Sequence, residues 1–347
     1  MNTSNASRSG ELDALRGIAA SWVLVYHYTV RYGEIFGDRG APFRLGDGIY
    51  GVELFFAISG FVMLMTVSRM RSAGEFVIAR VARLYPTYWA GVATTFVVMA
   101  LWPLAGRAVT APQAAFNLTM LQEFFHVPDV DSVYWSLEVE LVFYAWIVAV
   151  FAAGWLPRAR ALVTAWMLVA IAAFLACRHF GRPLPVLLDR VLLLEHCAYF
   201  GIGVTAYLDY QAGRMARASW LQYGVAAATA FLAQGTPGLL LALAIAAVFR
   251  LVSQRRARLL DTRVLVFLGA ISYPLYLLHQ NIGYVVIHAL RARSLPYGWA
   301  MLGAMAVTLA AATALHYAVE VPARERFQRW SRRRRAVVVP VIERAPT

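Results

Sequence analysis

Residues 49–69 read Ile49-Tyr50-Gly51-Val52-Glu53-Leu54-Phe55-Phe56-Ala57-Ile58-Ser59-Gly60-Phe61-Val62-Met63-Leu64-Met65-Thr66-Val67-Ser68-Arg69. Glu53 is the one charged side chain before the closing Arg69. Coiled at about 1.5 Å per residue, such a run covers roughly the 30 Å of a bilayer's hydrocarbon core. Nine more apolar runs accompany it, at 12–31, 85–105, 134–156, 159–177, 190–210, 219–234, 237–253, 264–290 and 297–320. The expected fold is therefore all-α, a polytopic membrane protein of about ten transmembrane helices. Composition points the same way. Hydrophobic residues make up 60% of the 347 and charged residues 15%, too oily a mixture for a water-soluble fold. Intrinsic disorder, a soluble Rossmann enzyme and a disulfide-stapled secreted module are excluded.

The basic residues orient the spans. All 32 are Arg, and with a cytoplasmic N-terminus 22 fall in inner segments and nine in outer loops, while Arg16 lies within the first run. By the positive-inside rule both termini are cytoplasmic. The net charge of +13 is spread along the chain rather than gathered for a groove, so no nucleic-acid partner is expected. The run Arg332-Arg333-Arg334-Arg335 suits anionic membrane lipid instead. Residues 1–330 are taken as a single transmembrane domain and 331–347 as an Arg-rich cytoplasmic tail. Two inner segments, 70–84 and 254–263, have the make-up of interfacial helices. The short seventh and eighth runs are joined by Gln234-Gly235-Thr236-Pro237, a tight turn. Cys177 and Cys197 are expected to be free thiols.

Ionisable groups inside a span cost about 2.5–3.5 kcal/mol each on insertion scales, so each needs a reason. Arg16 sits near the inner end of the first helix, and His27 follows eleven residues later on the same face, about 16 Å along the axis. Glu53 enters the second helix near its outer end, at about the depth of His27. On the fourth helix Ser136, Glu140, Phe143, Tyr144 and Ile147 share a stripe that excludes Glu138. The ninth brings Ser272, Tyr273, Tyr276 and His279 from its middle to its outer half. Arg16, Arg80 and Arg83 gather on the inner side without matching acids, which suits a polyphosphate-bearing ligand. The pattern is basic on the inner side, with imidazole and carboxylate on the outer side. A His oriented by a carboxylate is equipment for general-base catalysis. Glu195 is expected to pair with Arg190 or to snorkel, and His196 and His316 to be packing residues. No metal constellation is present, since the seven His are scattered and neither Cys pairs with one at ligand spacing.

These residues resemble the acyltransferase-3 family of bacterial integral-membrane O-acyltransferases, along nearly the whole chain. The stretch Glu11-Leu12-Asp13-Ala14-Leu15-Arg16-Gly17 leading to His27 is similar to that family's Arg-x10-His signature. Gly51 to Phe61, Arg80-Val81-Ala82-Arg83-Leu84-Tyr85-Pro86, Trp135-Ser136-Leu137 with Glu140 and Phe143-Tyr144, and Ile271 to His279 resemble four further blocks, in the same order. The resemblance implies an enzyme of the bacterial cytoplasmic (inner) membrane that takes an acyl group, commonly acetyl, from cytoplasmic acyl-CoA. It delivers that group to a hydroxyl of an extracytoplasmic glycan or lipid-linked saccharide. It implies His27 as the catalytic residue, with Arg16 in the same element and Arg80 and Arg83 holding the CoA phosphates. Ser136, Glu140, Tyr273 and His279 match motif positions. Direct transfer with His27 as general base, oriented by Glu140 or Glu53, is expected, with an acyl-histidine as the other course.

Two other readings stay open on the residues alone. Intramembrane Arg, Glu and His equally suit a proton-coupled transporter or flippase of a glycan or lipid precursor, although no internal repeat stands out. A non-catalytic scaffold would tolerate replacement of His27 and Glu140. The pattern specifies neither the acceptor, nor the acyl group, nor an oligomeric state.

Overall fold

Inside a bilayer no water is at hand for the backbone, so long apolar runs must coil. The computed structural model describes residues 3–337 other than 255, 258, 259 and 261, with the backbone alone for 3–9 and 332–337. Helices make up 81% of the described residues, among which there is no strand. Helix α1 (Thr3–Tyr26) continues through a π-helical turn at His27–Arg31 into α2 (Tyr32–Phe36). There follow α3 (Gly51–Val67), α4 (Ala73–Leu101), α5 (Ala111–Asn117), α6 (Trp135–Ala152), α7 (Ala159–Phe180), α8 (Val186–Leu192) and α9 (Cys197–Ala212). Then come α10 (Arg217–Ser253), α11 (Arg263–Ala270), α12 (Ser272–Ala292), α13 (Tyr297–Leu315), a second π turn at His316–Glu320, and α14 (Val321–Val337).

Among the described residues, seven segments are long and apolar enough to cross a membrane: those built on α3, α4, α6, α7, α8–α9, α10 and α13. Helix α10 is two helices in one. Gly235, at φ 70° and ψ −155°, breaks it and turns the chain back, so that a Cβ on Gly238 would sit 2.5 Å from the Ala230 carbonyl oxygen. Only glycine adopts that backbone readily, and the turn falls at the expected 234–237. The two expected runs not among the seven are α1, which carries Glu11, Asp13 and Arg16, and α12, with His279-Gln280-Asn281 at its middle.

One segment differs from expectation. Residues 73–84 are not a separate interfacial helix but the first turns of α4, started by Ser72, whose hydroxyl accepts from the Glu75 N–H at 3.2 Å. Pro86 is carried inside the helix, forgoing one backbone bond without ending it. Residues 255, 258, 259 and 261 of the expected 254–263 segment lie outside those described, as does most of the 331–347 tail.

The spans on α3 and α9 form the centre, with 78% and 72% of their apolar windows buried, against 22% for the peripheral α7. They approach closely through Gly60 and Gly203. A Cβ on Gly60 would strike the Phe200 carbonyl, and one on Gly203 the Ala57 carbonyl. Without a hydrophobic force between helices in lipid, such close backbone packing holds them together. Arg160 ties α7 to the neighbouring helices through Asp209 at 3.2 Å, Ser219 at 2.8 Å and Gln222 at 2.6 Å. Cys177 and Cys197 are free. Helix α12 packs on α13, α4 and α1, which brings the polar helices together inside the bundle.

Candidate active site

His27 is the first residue of the π turn, its carbonyl accepting the i→i+5 bond from the Tyr32 N–H. Such turns recur at functional sites. His279 of α12 meets it there, with ring centroids 4.8 Å apart and His279 Nε2 3.2 Å from His27 Nδ1. Both rings are buried, at 9% exposure for His27 and 1% for His279. Two backbone carbonyls assign their protons. His27 Nδ1 lies 2.8 Å from the Val23 oxygen, and His279 Nδ1 lies 2.9 Å from the Tyr276 oxygen. A carbonyl oxygen only accepts, so each Nδ1 bears the hydrogen. His279 Nε2 is then the acceptor turned toward His27, and His27 Nε2 keeps a free lone pair, with no hydrogen bond among the described residues. This is the tautomer a general base needs.

Toward the Arg16 end of α1, a cavity of about 80 Å³ lies between α1, α3, α4, α6 and α12. Arg16 and Arg83 supply its positive charge and Glu140 its carboxylate, while Ser136, Tyr273 and Tyr276 are among its hydroxyls. Glu140 accepts from the Ser59 hydroxyl and, at 2.5 Å, from the Tyr144 hydroxyl. Ser136 Oγ and the Tyr276 hydroxyl are 2.7 Å apart, and the Tyr273 hydroxyl donates to the Leu84 carbonyl at 3.2 Å. The inner arginines are not all without acids: Arg16 pairs with Asp13, one turn earlier on the same helix face, at 2.8 Å. Arg80 lies beside the cavity rather than in its wall. Its guanidinium is 5.5 Å from the Phe76 ring centroid, with Nη1 3.6 Å from Met63 Sδ, and its buried Nε has no partner among the described residues.

Neither expected carboxylate hydrogen-bonds to His27. Helix α6 packs on α3 and α4, which leaves Glu140 on the cavity side, engaged by Ser59 and Tyr144. Glu53 is buried next to the α10 turn, where Gln234 Nε2 is 3.5 Å from one oxygen and the other has no partner among the described residues. The position flanking His27 is held by Val23 and His279 instead. A part-buried imidazole–carboxylate pair does occur, but in the second π turn, where His316 Nδ1 is 2.7 Å from Glu320. His196 packs at a tilt against Phe56 and Trp135, and Arg190 pairs with Glu123, not Glu195.

On the other side of the pair, the segment between α4 and α6 grips α12. Arg107 donates to the Asn281 side-chain oxygen at 2.6 Å and lies 5.1 Å from the Tyr284 ring centroid. Asn281 N–H donates to Asp131 at 3.0 Å, and Ser132 donates to Gln280 at 2.9 Å. Burial pushes the Asp131 carboxyl up to about 7, against the Asn281 N–H, the Arg107 charge and the Val133 N–H. These bonds fix the residues that directly follow His279. The sequence reading missed this clamp, since nothing in spacing relates Arg107 or Asp131 to Asn281. It had the signal for the His27–His279 contact in the shared depth of the two.

No curated protein and no solved structure matches the chain. A family profile described as an acyltransferase domain matches residues 9–317, a stretch that runs from before Arg16 to beyond His279. The chain thus belongs to the acyltransferase-3 family and is a multi-pass membrane acyltransferase.

Proposed function

We propose that the protein moves an acyl group, acetyl in the first instance, from acyl-CoA on the cytoplasmic side of a bacterial inner membrane to a hydroxyl of an extracytoplasmic glycan or lipid-linked saccharide. The observation that carries this reading is the imidazole pair with a free His27 Nε2, set one residue layer away from a cavity bearing Arg16 and Arg83. The arginines would hold the donor's phosphates, with Arg80 adding to the local positive charge. The acceptor hydroxyl gives its proton to His27 Nε2 while its oxygen bonds to the thioester carbonyl carbon. The tetrahedral adduct collapses with loss of the C–S bond, and the departing sulfur takes the proton from His27. His279 orients the imidazole, a task the sequence reading gave to Glu140 or Glu53. Those carboxylates instead stand beside the donor path and in the α3–α10 contact.

The test is acetyl-CoA turnover by the protein in proteoliposomes, followed as thiol release, with His27→Ala alongside. Release that disappears in the variant, with the acetyl group recovered on a saccharide, is the expected result. Full activity in His27→Ala overturns the mechanism, and no release from a panel of acyl-CoAs with acceptors present overturns the transferase reading itself.

A further inference from the structure

Between the cavity and the histidine pair stands Tyr276, and it touches both. Its ring lines the cavity, packs 5.7 Å from Phe55 and lies 5.6 Å from the His279 ring, while its carbonyl accepts from His279 Nδ1. Its hydroxyl is tied on the α6 side, 2.7 Å from Ser136 Oγ and 3.1 Å from the Val133 carbonyl oxygen. Neither His27 nor His279 lines the cavity. Tyr276 therefore stands between a thioester lodged there and His279, the partner of His27, and its ring is held in place by one hydroxyl.

We propose that Tyr276 is the residue that decides between acyl transfer and hydrolysis: it closes the donor cavity off from the His27–His279 pair, and the Ser136 tether keeps it closed until an acceptor is in place. The inference rests on the transferase reading above. The hazard it answers is chemical. A base that can deprotonate a sugar hydroxyl can also deprotonate water, and water attacking the thioester carbonyl breaks the same C–S bond, giving a free carboxylic acid and CoA thiol. An enzyme with its base permanently open to the donor would waste acyl-CoA whenever acceptor was absent. A tyrosine suits the position because its ring blocks the path while its hydroxyl gives a tether that can be broken and remade. It is a positioning residue, acting through access to His27.

The experiment measures two rates in proteoliposomes loaded with acetyl-CoA: thiol release without acceptor, and acetyl transfer with a saccharide acceptor present. Tyr276→Phe keeps the ring and removes the tether. Acceptor-independent release should rise about tenfold relative to transfer, corresponding to about 1.4 kcal/mol less preference for the closed position. Ser136→Ala removes one of the hydroxyl's two partners, leaving the Val133 carbonyl, and should shift the ratio in the same direction by less. Adding His27→Ala to Tyr276→Phe should abolish the leak. A merely structural role lowers both rates together and leaves their ratio unchanged; that result in both single variants overturns the proposal. A leak that survives His27→Ala overturns it as well, because the path opened would not lead to the pair. Absence of any thioester turnover in the unaltered protein is a separate outcome, and removes the transferase reading together with the gate.

Discussion

The division of labour between the two buried histidines makes a quantitative forecast. In the proposed arrangement His27 is the base, and His279 Nε2, 3.2 Å away, is a second acceptor for the His27 Nδ1 hydrogen. A bond of this kind is worth about 0.5–1.5 kcal/mol net. His279→Ala should therefore slow transfer about twofold to tenfold, because the one His27 Nδ1 hydrogen, shared between two acceptors, still has the Val23 carbonyl at 2.8 Å. Removing the base itself forfeits roughly a hundredfold to ten-thousandfold. His279→Gln, which keeps a neutral acceptor near the position of Nε2, should recover most of the loss. The double variant should be no slower than His27→Ala alone, since an orienting group has nothing left to orient. The assay is single-turnover transfer at saturating acetyl-CoA, corrected for folded protein, because a ring that is 1% exposed leaves a void when truncated. The donor's KM should be unchanged, as His279 does not line the donor cavity. The reasoning fails if His279→Ala falls as far as His27→Ala, or if His27→Ala keeps activity that His279→Ala loses. Either result would mean the carbonyl-assigned tautomers do not describe the working site.

Two further outcomes follow from other parts of the molecule. Arg83→Ala should raise the KM for acyl-CoA about tenfold to a hundredfold with little change in kcat, the loss of a charge-assisted bond of about 1.5–3 kcal/mol to a phosphate. Arg80→Ala, outside the cavity wall, should raise it less; equal effects on kcat alone in both would sink the phosphate role. The clamp carries a pH signature. Asp131 in the folded protein holds its proton to about pH 7, whereas an unfolded aspartate releases it near 4, so the folded state binds more protons in between. Stability should therefore fall as pH rises through that window. In Asp131→Asn this contribution is absent, so the melting-temperature advantage of the unaltered protein should shrink from pH 4 to pH 7; a constant difference would show that Asp131 does not titrate there.

The parts of this protein legible in its sequence are those set by hydrocarbon. A run such as 49–69 can do little else than coil across a bilayer, and the turn at Gly235 announces itself by a Gly two residues before Pro237 between two apolar runs. Ser136, Glu140 and Tyr144 were legible as one helical stripe because spacing places side chains to within a turn, and all three do line one cavity; Arg16, expected at the inner end and apart from the carboxylate, lines the same cavity. What spacing cannot give is which neighbour wins a contact. Glu140 and Glu53 were assigned to His27 because carboxylates commonly orient imidazoles. In the fold Glu140 is taken by Ser59 and Tyr144, hydroxyls nearer to it than the ring. Asp13 went unrecognised as the partner of Arg16, although three residues separate them, because an acid near the end of a span looks like part of the interface.

The same contrast explains where the site lies. Helices α1 and α12 lack the apolarity of the seven candidate spans, and they carry the two histidines. Polar side chains on a lipid-facing surface would have no compensating bonds, so these helices are tolerated only when others surround them. Accordingly His279, Gln280 and Asn281 are no more than 2% exposed, and α13 and α4 cover their helix. Once covered, they find partners in one another and in the segment between α4 and α6, and the polar groups that would hinder insertion come to lie side by side in the interior. The proposed transfer, with a donor from one side and an acceptor from the other, needs a reactive centre in that interior. The energetics that force α1 and α12 inward also bring His27 and His279 together there, where the proposal places the base.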